Sequence, residues 1–175
     1  LNVFDDVMPG TQMAYDINAA YQLNYISGTS ENTFEPDAPI TYNQMLKMVV
    51  SVLGYDVKAQ EWGGYPYGYA AVASTIGLTD GVVLNDEFVT KETVIHLFEN
   101  ALDIDLMERD YGEEQSYRVT EGNTLLTDVF HIEKRKGVVQ ASSEKQSLPG
   151  QKLLKAGYVQ IDDVQYLAGE SGAST

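Results

Sequence analysis

An internal repeat is the feature that most constrains how this chain can fold. Each copy has a helix-like stretch ended by glycine, a short loop, and a second helix-like stretch that begins after a threonine. The first copy covers residues 15–28 and 40–54, and the second covers residues 68–81 and 89–102. Two short amphipathic helices cannot bury their apolar faces alone. The repeat therefore predicts helix pairs that pack on one another.

The second helix of each copy has a recognisable start. Thr41 and Gln44 form a T-x-x-Q capping box, in which each side chain can satisfy a free backbone N–H. Thr90 can cap the equivalent helix, although no Glu or Gln follows three residues later. The apolar residues at helical spacing predict the inward faces. These are Met45, Met48, Val49, Val52 and Leu53 in the first copy, and Val94, Leu97, Phe98, Ala101 and Leu102 in the second.

Charge is distributed unevenly along the chain. The net charge is −15, yet residues 116–175 carry seven acidic and seven basic side chains, so all of the excess lies in residues 1–115. This change in charge density predicts a domain boundary near Gly112. The acidic first part argues against nucleic acid or an anionic membrane as a partner, since both favour clustered Lys and Arg.

Composition limits where the protein can reside. With 175 residues and 43% hydrophobic residues, the chain can bury a substantial core. No apolar run reaches the roughly 18 residues of a membrane span. The chain starts at Leu1 without a charged and apolar export signal, so we expect it to be a piece of a longer protein whose signal lies upstream. The absence of cysteine excludes disulfides and thiolate metal sites.

The last third of the chain has short β-type runs separated by Gly, Asn and Asp. Asp162 and Asp163 lie between two such runs and predict a two-residue hairpin turn. We therefore expect a small antiparallel sheet in residues 112–168, followed by a disordered Gly/Ser/Thr tail at 169–175. The β-type residues are Val119, Val129, Ile132, Val138, Val139, Val159, Ile161, Val164 and Tyr166.

Several of these motifs resemble the S-layer homology family. The family pattern is F-x-D-V, a helix, G-I-x-x-G, F-x-P, and then I-T-R-A-E at the start of a second helix. This chain has Phe4-Asp-Asp-Val7, Gly28, Phe34-Glu-Pro36 and Ile40-Thr41 at the corresponding places. The linker Leu53-Gly-Tyr55 and Gly63-Gly-Tyr-Pro-Tyr-Gly-Tyr69 is similar to that of clostridial surface proteins. The resemblance covers residues 1 to about 105.

The resemblance implies an α+β chain with two S-layer homology repeats at about 1–55 and 56–107. These would be helix-loop-helix units of a pseudo-threefold bundle spanning residues 1–111, followed by the β-rich module at 112–168. It also implies an exported, non-catalytic protein of the bacterial cell wall or surface layer. Its partner would be secondary cell-wall polysaccharide, which in this family often bears pyruvyl ketals. No nucleic acid, membrane span or cofactor is implied.

The resemblance also implies a glycan site at the start of each second helix. In the family, the Arg of T-R-A-E contacts the anionic sugar substituent. Tyr42 and Lys91 occupy that place here, beside Thr41, Gln44 and Thr90. Tyr offers a hydroxyl and a stacking face, and Lys offers charge without the bidentate fork of Arg. The aromatic linker adds Trp62, Tyr65 and Tyr67, which can either stack on sugars or pack between helices; we favour packing.

Three function classes follow, and the sequence favours the first two. A wall anchor would have a groove lined by Tyr42, Lys91 and the aromatic linker. A structural or protein-interaction module with degenerate repeats would bind no glycan, and would self-associate through the surface of a missing repeat. An enzyme would need a recognisable catalytic motif, and none is present. His96 and His131 have no ligand spacing around them, so no metal site is predicted.

Overall fold

A computed structural model of the chain describes residues 2–83, 87–110, 116–142 and 153–167. Helices occupy the N-terminal part and antiparallel strands the C-terminal part, so the predicted α+β class is confirmed. The helices are α1 (Gln12–Gln22), α2 (Tyr42–Val52), α3 (Asp56–Glu61), α4 (Tyr67–Thr75) and α5 (Lys91–Leu102). The strands are β1 (Asp105–Asp110), β2 (Ser116–Thr124), β3 (Val139–Ser142), β4 (Tyr158–Ile161) and β5 (Val164–Leu167).

The described residues divide into two compact units, Leu1–Ile132 and Glu133–Thr175. The first unit contains all five helices and the β1–β2 hairpin. The predicted boundary residue Gly112 lies outside the described residues, as does the predicted tail at 169–175. The division between the compact units falls after the hairpin, because β1 packs against the end of α2. The Met107 N–H donates to the Leu53 carbonyl at 3.0 Å, and the Tyr55 hydroxyl donates to the Asp105 carbonyl at 2.9 Å.

The main core of the first unit forms where α2 packs against α4 and α5. Gly54 ends α2 with φ +85, and a Cβ there would overlap the Met107 carbonyl oxygen. Only glycine therefore allows β1 to approach so closely. The buried residues of the main core are Met45, Leu46, Val49, Val50, Leu53, Tyr55, Ala59, Tyr69, Val72, Ala73, Leu78, Leu97, Ala101 and Leu106.

Helix α1 belongs to a separate, smaller cluster. Its buried residues Ala14 and Ile17 pack with Phe4 and Val7 from the preceding segment. Phe34 covers this cluster from the other side, with its ring centroid 5.4 Å from that of Phe4. The first predicted repeat is thus split, with its first helix in the small cluster and its second helix in the main core.

Two apolar predictions are corrected by the structure. Phe98 does not face the core, since 53% of its surface is exposed, and Val129 and Ile132 lie in no strand. Residues Leu125–Val129 instead form one π-helical turn, capped by Thr124, whose side chain accepts from the Thr127 N–H at 3.2 Å. This local hydrogen bonding by threonine competes with continued strand pairing. The short helix α3 was not predicted.

The second unit contains the three-stranded antiparallel sheet β3–β4–β5. Ile161 pairs with Val164 across a two-residue turn, and both Asp162 and Asp163 have positive φ. Positive φ at both central residues is the type I′ arrangement that matches strand twist. The predicted hairpin turn is confirmed.

Candidate functional site

The start of α2 has the predicted capping box. The Gln44 N–H donates to Thr41 Oγ1 at 3.4 Å, and the Thr41 N–H donates to Gln44 Oε1 at 2.8 Å. Both partners thereby satisfy backbone donors that the helix cannot pair internally. The amide oxygen of Gln44 is engaged in this cap, so its amide NH₂ is the group that remains to donate to a ligand.

The equivalent helix starts of the two repeats lie side by side. The Val89 N–H donates to the Ile40 carbonyl at 2.9 Å, and the Tyr42 N–H donates to the Glu87 carbonyl at 3.3 Å. These bonds flank an antiparallel bridge between Thr41 and Phe88. The segments before the two second helices are therefore hydrogen-bonded to each other.

The two residues in the place of the family arginine differ in their surroundings. Tyr42 is half-buried against the main core, and burial raises the pKa of its phenol above the usual value. It therefore remains a neutral donor at physiological pH. Lys91 is the first residue of α5 and is exposed, and the N-cap Thr90 precedes it and accepts from the Thr93 N–H at 3.2 Å.

The predicted aromatic segment separates into exposed and buried parts. Trp62, Tyr65 and Tyr67 are all exposed. Lys58 Nζ lies 5.1 Å from the centroid of the Trp62 ring, so one face of the indole is already occupied by a cation.

Tyr69 is buried and binds the start of α3. Its hydroxyl donates to Asp56 Oδ1 at 2.8 Å, and Ser51 Oγ donates to the same oxygen at 2.7 Å. Burial and then the bond to Asp56 raise the pKa of Tyr69. Of this aromatic segment, Tyr69 thus supports the packing interpretation, while the exposed rings remain available to a ligand.

A cavity of about 450 Å³ lies in the first unit beside α2. Two of the predicted site residues, Gln44 and Tyr65, line it, whereas Thr41, Tyr42, Trp62, Tyr67, Thr90 and Lys91 do not. Aromatic and proline side chains dominate its wall, and Lys47 is the one cation among the described lining residues. The lining consists of Tyr25, Ile26, Ser27, Gly28, Thr29, Phe34, Glu35, Pro36, Ala38, Pro39, Ile40, Gln44, Lys47, Met48 and Tyr65.

Asp6 positions one wall of this cavity. Its carboxylate accepts from the Phe34 N–H at 2.9 Å and from the Glu35 N–H at 2.7 Å. These two backbone bonds lower the pKa of the Asp6 carboxyl below its ordinary value. Asp6 therefore holds the 34–36 segment close to the N-terminal segment. Gly28 completes the wall, since a Cβ there would overlap the Phe4 ring and the Ser30 carbonyl.

Sequence reasoning missed Lys47, Tyr25 and Phe34 as lining residues. Lys47 could have been found, because it follows Gln44 by three residues and so shares a helix face with it. The contribution of Tyr25 depends on how the loop after α1 folds, and no local spacing shows that.

No metal-binding group of three or more His, Asp or Glu side chains occurs within residues 2–83, 87–110, 116–142 and 153–167. His96 lies in α5, and His131 has φ 54 outside any strand. Over those same stretches, no helix has the length and apolar character of a membrane span.

Comparison with known proteins confirms part of the resemblance. Residues 3–46 match the S-layer homology domain family, which covers the first predicted repeat as far as the middle of α2. The cavity residues from Tyr25 to Gln44 fall inside this match.

Three curated relatives are surface proteins. The chain is 25% identical to a middle cell wall protein of Brevibacillus brevis, over 85% of the chain and 14% of that protein. It is 32% identical to a cell surface protein of Thermoanaerobacter kivui, over 65% of the chain and 14% of that protein. It is 26% identical to a surface layer protein of Brevibacillus choshinensis, over 74% of the chain and 11% of that protein. No solved structure matches the chain significantly.

The chain therefore spans only a small part of each curated relative. The domain match and the relatives support an extracellular, cell-wall-associated location.

Proposed function

We propose that this chain, which carries an S-layer homology match in residues 3–46, is a non-catalytic module that anchors an exported surface protein to the bacterial cell wall. It would do so by binding secondary cell-wall polysaccharide. The observation that carries the proposal is the cavity beside α2, whose lining includes Gln44 and Tyr65 from the predicted glycan site.

The chemistry of the cavity suits a sugar with an anionic substituent. Tyr25, Phe34 and Tyr65 supply rings against which the apolar face of a pyranose can stack. Gln44 supplies an amide donor, and Lys47 supplies a positive charge for a carboxylate such as a pyruvyl ketal. A volume of about 450 Å³ falls within the usual range for small-molecule sites, roughly 300–1,000 Å³.

Retention on purified, peptidoglycan-linked wall polymer tests this proposal, with and without its pyruvyl groups. We expect Lys47→Ala and Tyr65→Ala each to reduce retention about tenfold or more, equivalent to the loss of about 1.4 kcal/mol of binding free energy. Lys91→Ala and Tyr67→Ala are matched controls, because these exposed residues lie outside the cavity lining.

The outcome also decides where the site lies. If Lys91→Ala reduces retention and Lys47→Ala does not, the glycan binds at the helix starts rather than in the cavity. If the unmodified chain is not retained at all, the wall-anchor proposal is wrong.

A structural module that binds no glycan is the second candidate. It is favoured by exposed apolar side chains on two helices, among them Ile95 and Phe98 on α5 and Met13 and Leu23 on α1. Such exposed apolar helix faces are typical of protein interaction surfaces.

A further inference from the structure

The repeat allows buried and exposed positions to be compared between equivalent helices. Residues 15–28 align with 68–81, and residues 42–53 align with 91–102, so α1 corresponds to α4 and α2 to α5. In the structure, α4 packs against α2. The first helix of the second repeat therefore packs on the second helix of the first repeat.

Helix α5 has the apolar residues for such a contact but no partner helix on them among the described residues. Leu46 and Val49 of α2 are 1% and 4% exposed. Their equivalents on α5, Ile95 and Phe98, are 62% and 53% exposed. The difference is not one of side-chain chemistry, since both pairs are large and apolar.

Helix α1 shows the converse. Val72 and Ala73 of α4 are buried in the main core, whereas their equivalents on α1 are the exposed Ala19 and the half-buried Ala20. Leu23, just after α1, is 59% exposed. Small residues flanked by leucine allow a second helix to approach closely.

We propose that α5 of one chain packs on α1 of a second copy, in a head-to-tail contact that repeats the α2–α4 packing within the chain. The second copy is the occupant because this chain carries both halves of the contact, the Ile95–Phe98 face and the Ala19–Leu23 face. The contact is heterologous, so each associated chain retains one free face and further chains can add.

Two properties of the association follow from size and charge. A single helix pair buries less than the roughly 800 Å² per partner of a standard interface, so association requires high protein concentration. Each chain carries a net charge of −15, so copies repel one another at low salt. Added salt screens this repulsion and strengthens association.

Sedimentation equilibrium over a range of protein and salt concentrations tests the contact. We expect the unmodified chain to associate more strongly at 0.5 M than at 0.05 M salt, and Phe98→Asp and Leu23→Asp each to be monomeric. Val83→Asp is the control, since Val83 is an exposed apolar residue on neither face. Circular dichroism checks that each variant is folded, which the exposure of the replaced side chains favours.

Mixing the two variants tests the head-to-tail geometry. The Phe98→Asp chain keeps an intact α1 face and the Leu23→Asp chain keeps an intact α5 face, so together they should form a one-to-one heterodimer that cannot grow. A mixture that stays monomeric while the unmodified chain associates overturns the head-to-tail arrangement. An unmodified chain that is monomeric at high concentration and high salt overturns the proposal altogether. Neither readout involves glycan, so both are independent of wall anchoring.

Discussion

Asp6 shows how one exposed side chain can shape the candidate site. Its carboxylate binds two consecutive backbone N–H groups across 28 residues of sequence, and those groups belong to the Phe34-Glu35 segment that lines the cavity. A carboxylate that accepts backbone N–H bonds is stabilised in its ionised form. The native fold therefore favours the charged form of Asp6.

The lowered pKa of Asp6 predicts a pH-dependent contribution to stability. Because the folded pKa lies below the unfolded value, the contribution is present above about pH 4 and is lost as pH falls through the folded pKa. We expect Asp6→Asn to lower the melting temperature at pH 7, and the gap from the unmodified chain to close toward pH 3. Hydrogen exchange at the Phe34 and Glu35 amides provides a local readout. A gap that stays constant between pH 7 and pH 3 would contradict this role.

The helices show which part of the structure local sequence can predict. The caps at Thr41 and Thr90 were predicted because a cap depends only on residues within one turn. Phe98 was placed inward because it lies in an apolar stripe, yet a stripe does not reveal what covers it. The cavity was only partly foreseen, since Gln44 and Tyr65 meet there through the folding of a linker that contains the unpredicted α3.

Equivalent positions on α2 and α5 should respond differently to the same truncation. Leu46→Ala removes a side chain from the main core and is expected to cost about 2–5 kcal/mol of unfolding free energy. Ile95→Ala, at the equivalent exposed position, is expected to change it by less than about 0.5 kcal/mol in the monomer. Urea denaturation at low protein concentration measures both. Equal losses in the two variants would show that the Ile95 face is covered within one chain.

At the scale of the whole molecule, the β1–β2 hairpin belongs with the helices. β1 hydrogen-bonds to the end of α2, and the π-helical turn that follows β2 contacts α5 and contributes the buried Leu126. The shift in charge density near Gly112 and the division of the chain into compact units therefore mark different places. Charge reflects which surface faces water, whereas compactness reflects which side chains pack together.

Two truncations should separate these boundaries. A chain ending at Ile132 keeps the first unit whole, so we expect its helical circular dichroism and cooperative unfolding to match those of the first unit in the full chain. A chain ending at residue 111 loses β2 and Leu126. Burial of one leucine contributes about 1.5–3 kcal/mol, so the shorter chain should unfold at a clearly lower urea concentration. Equal midpoints for the two truncated chains would mean that the hairpin adds nothing to the helical unit, and would favour a domain boundary near Gly112.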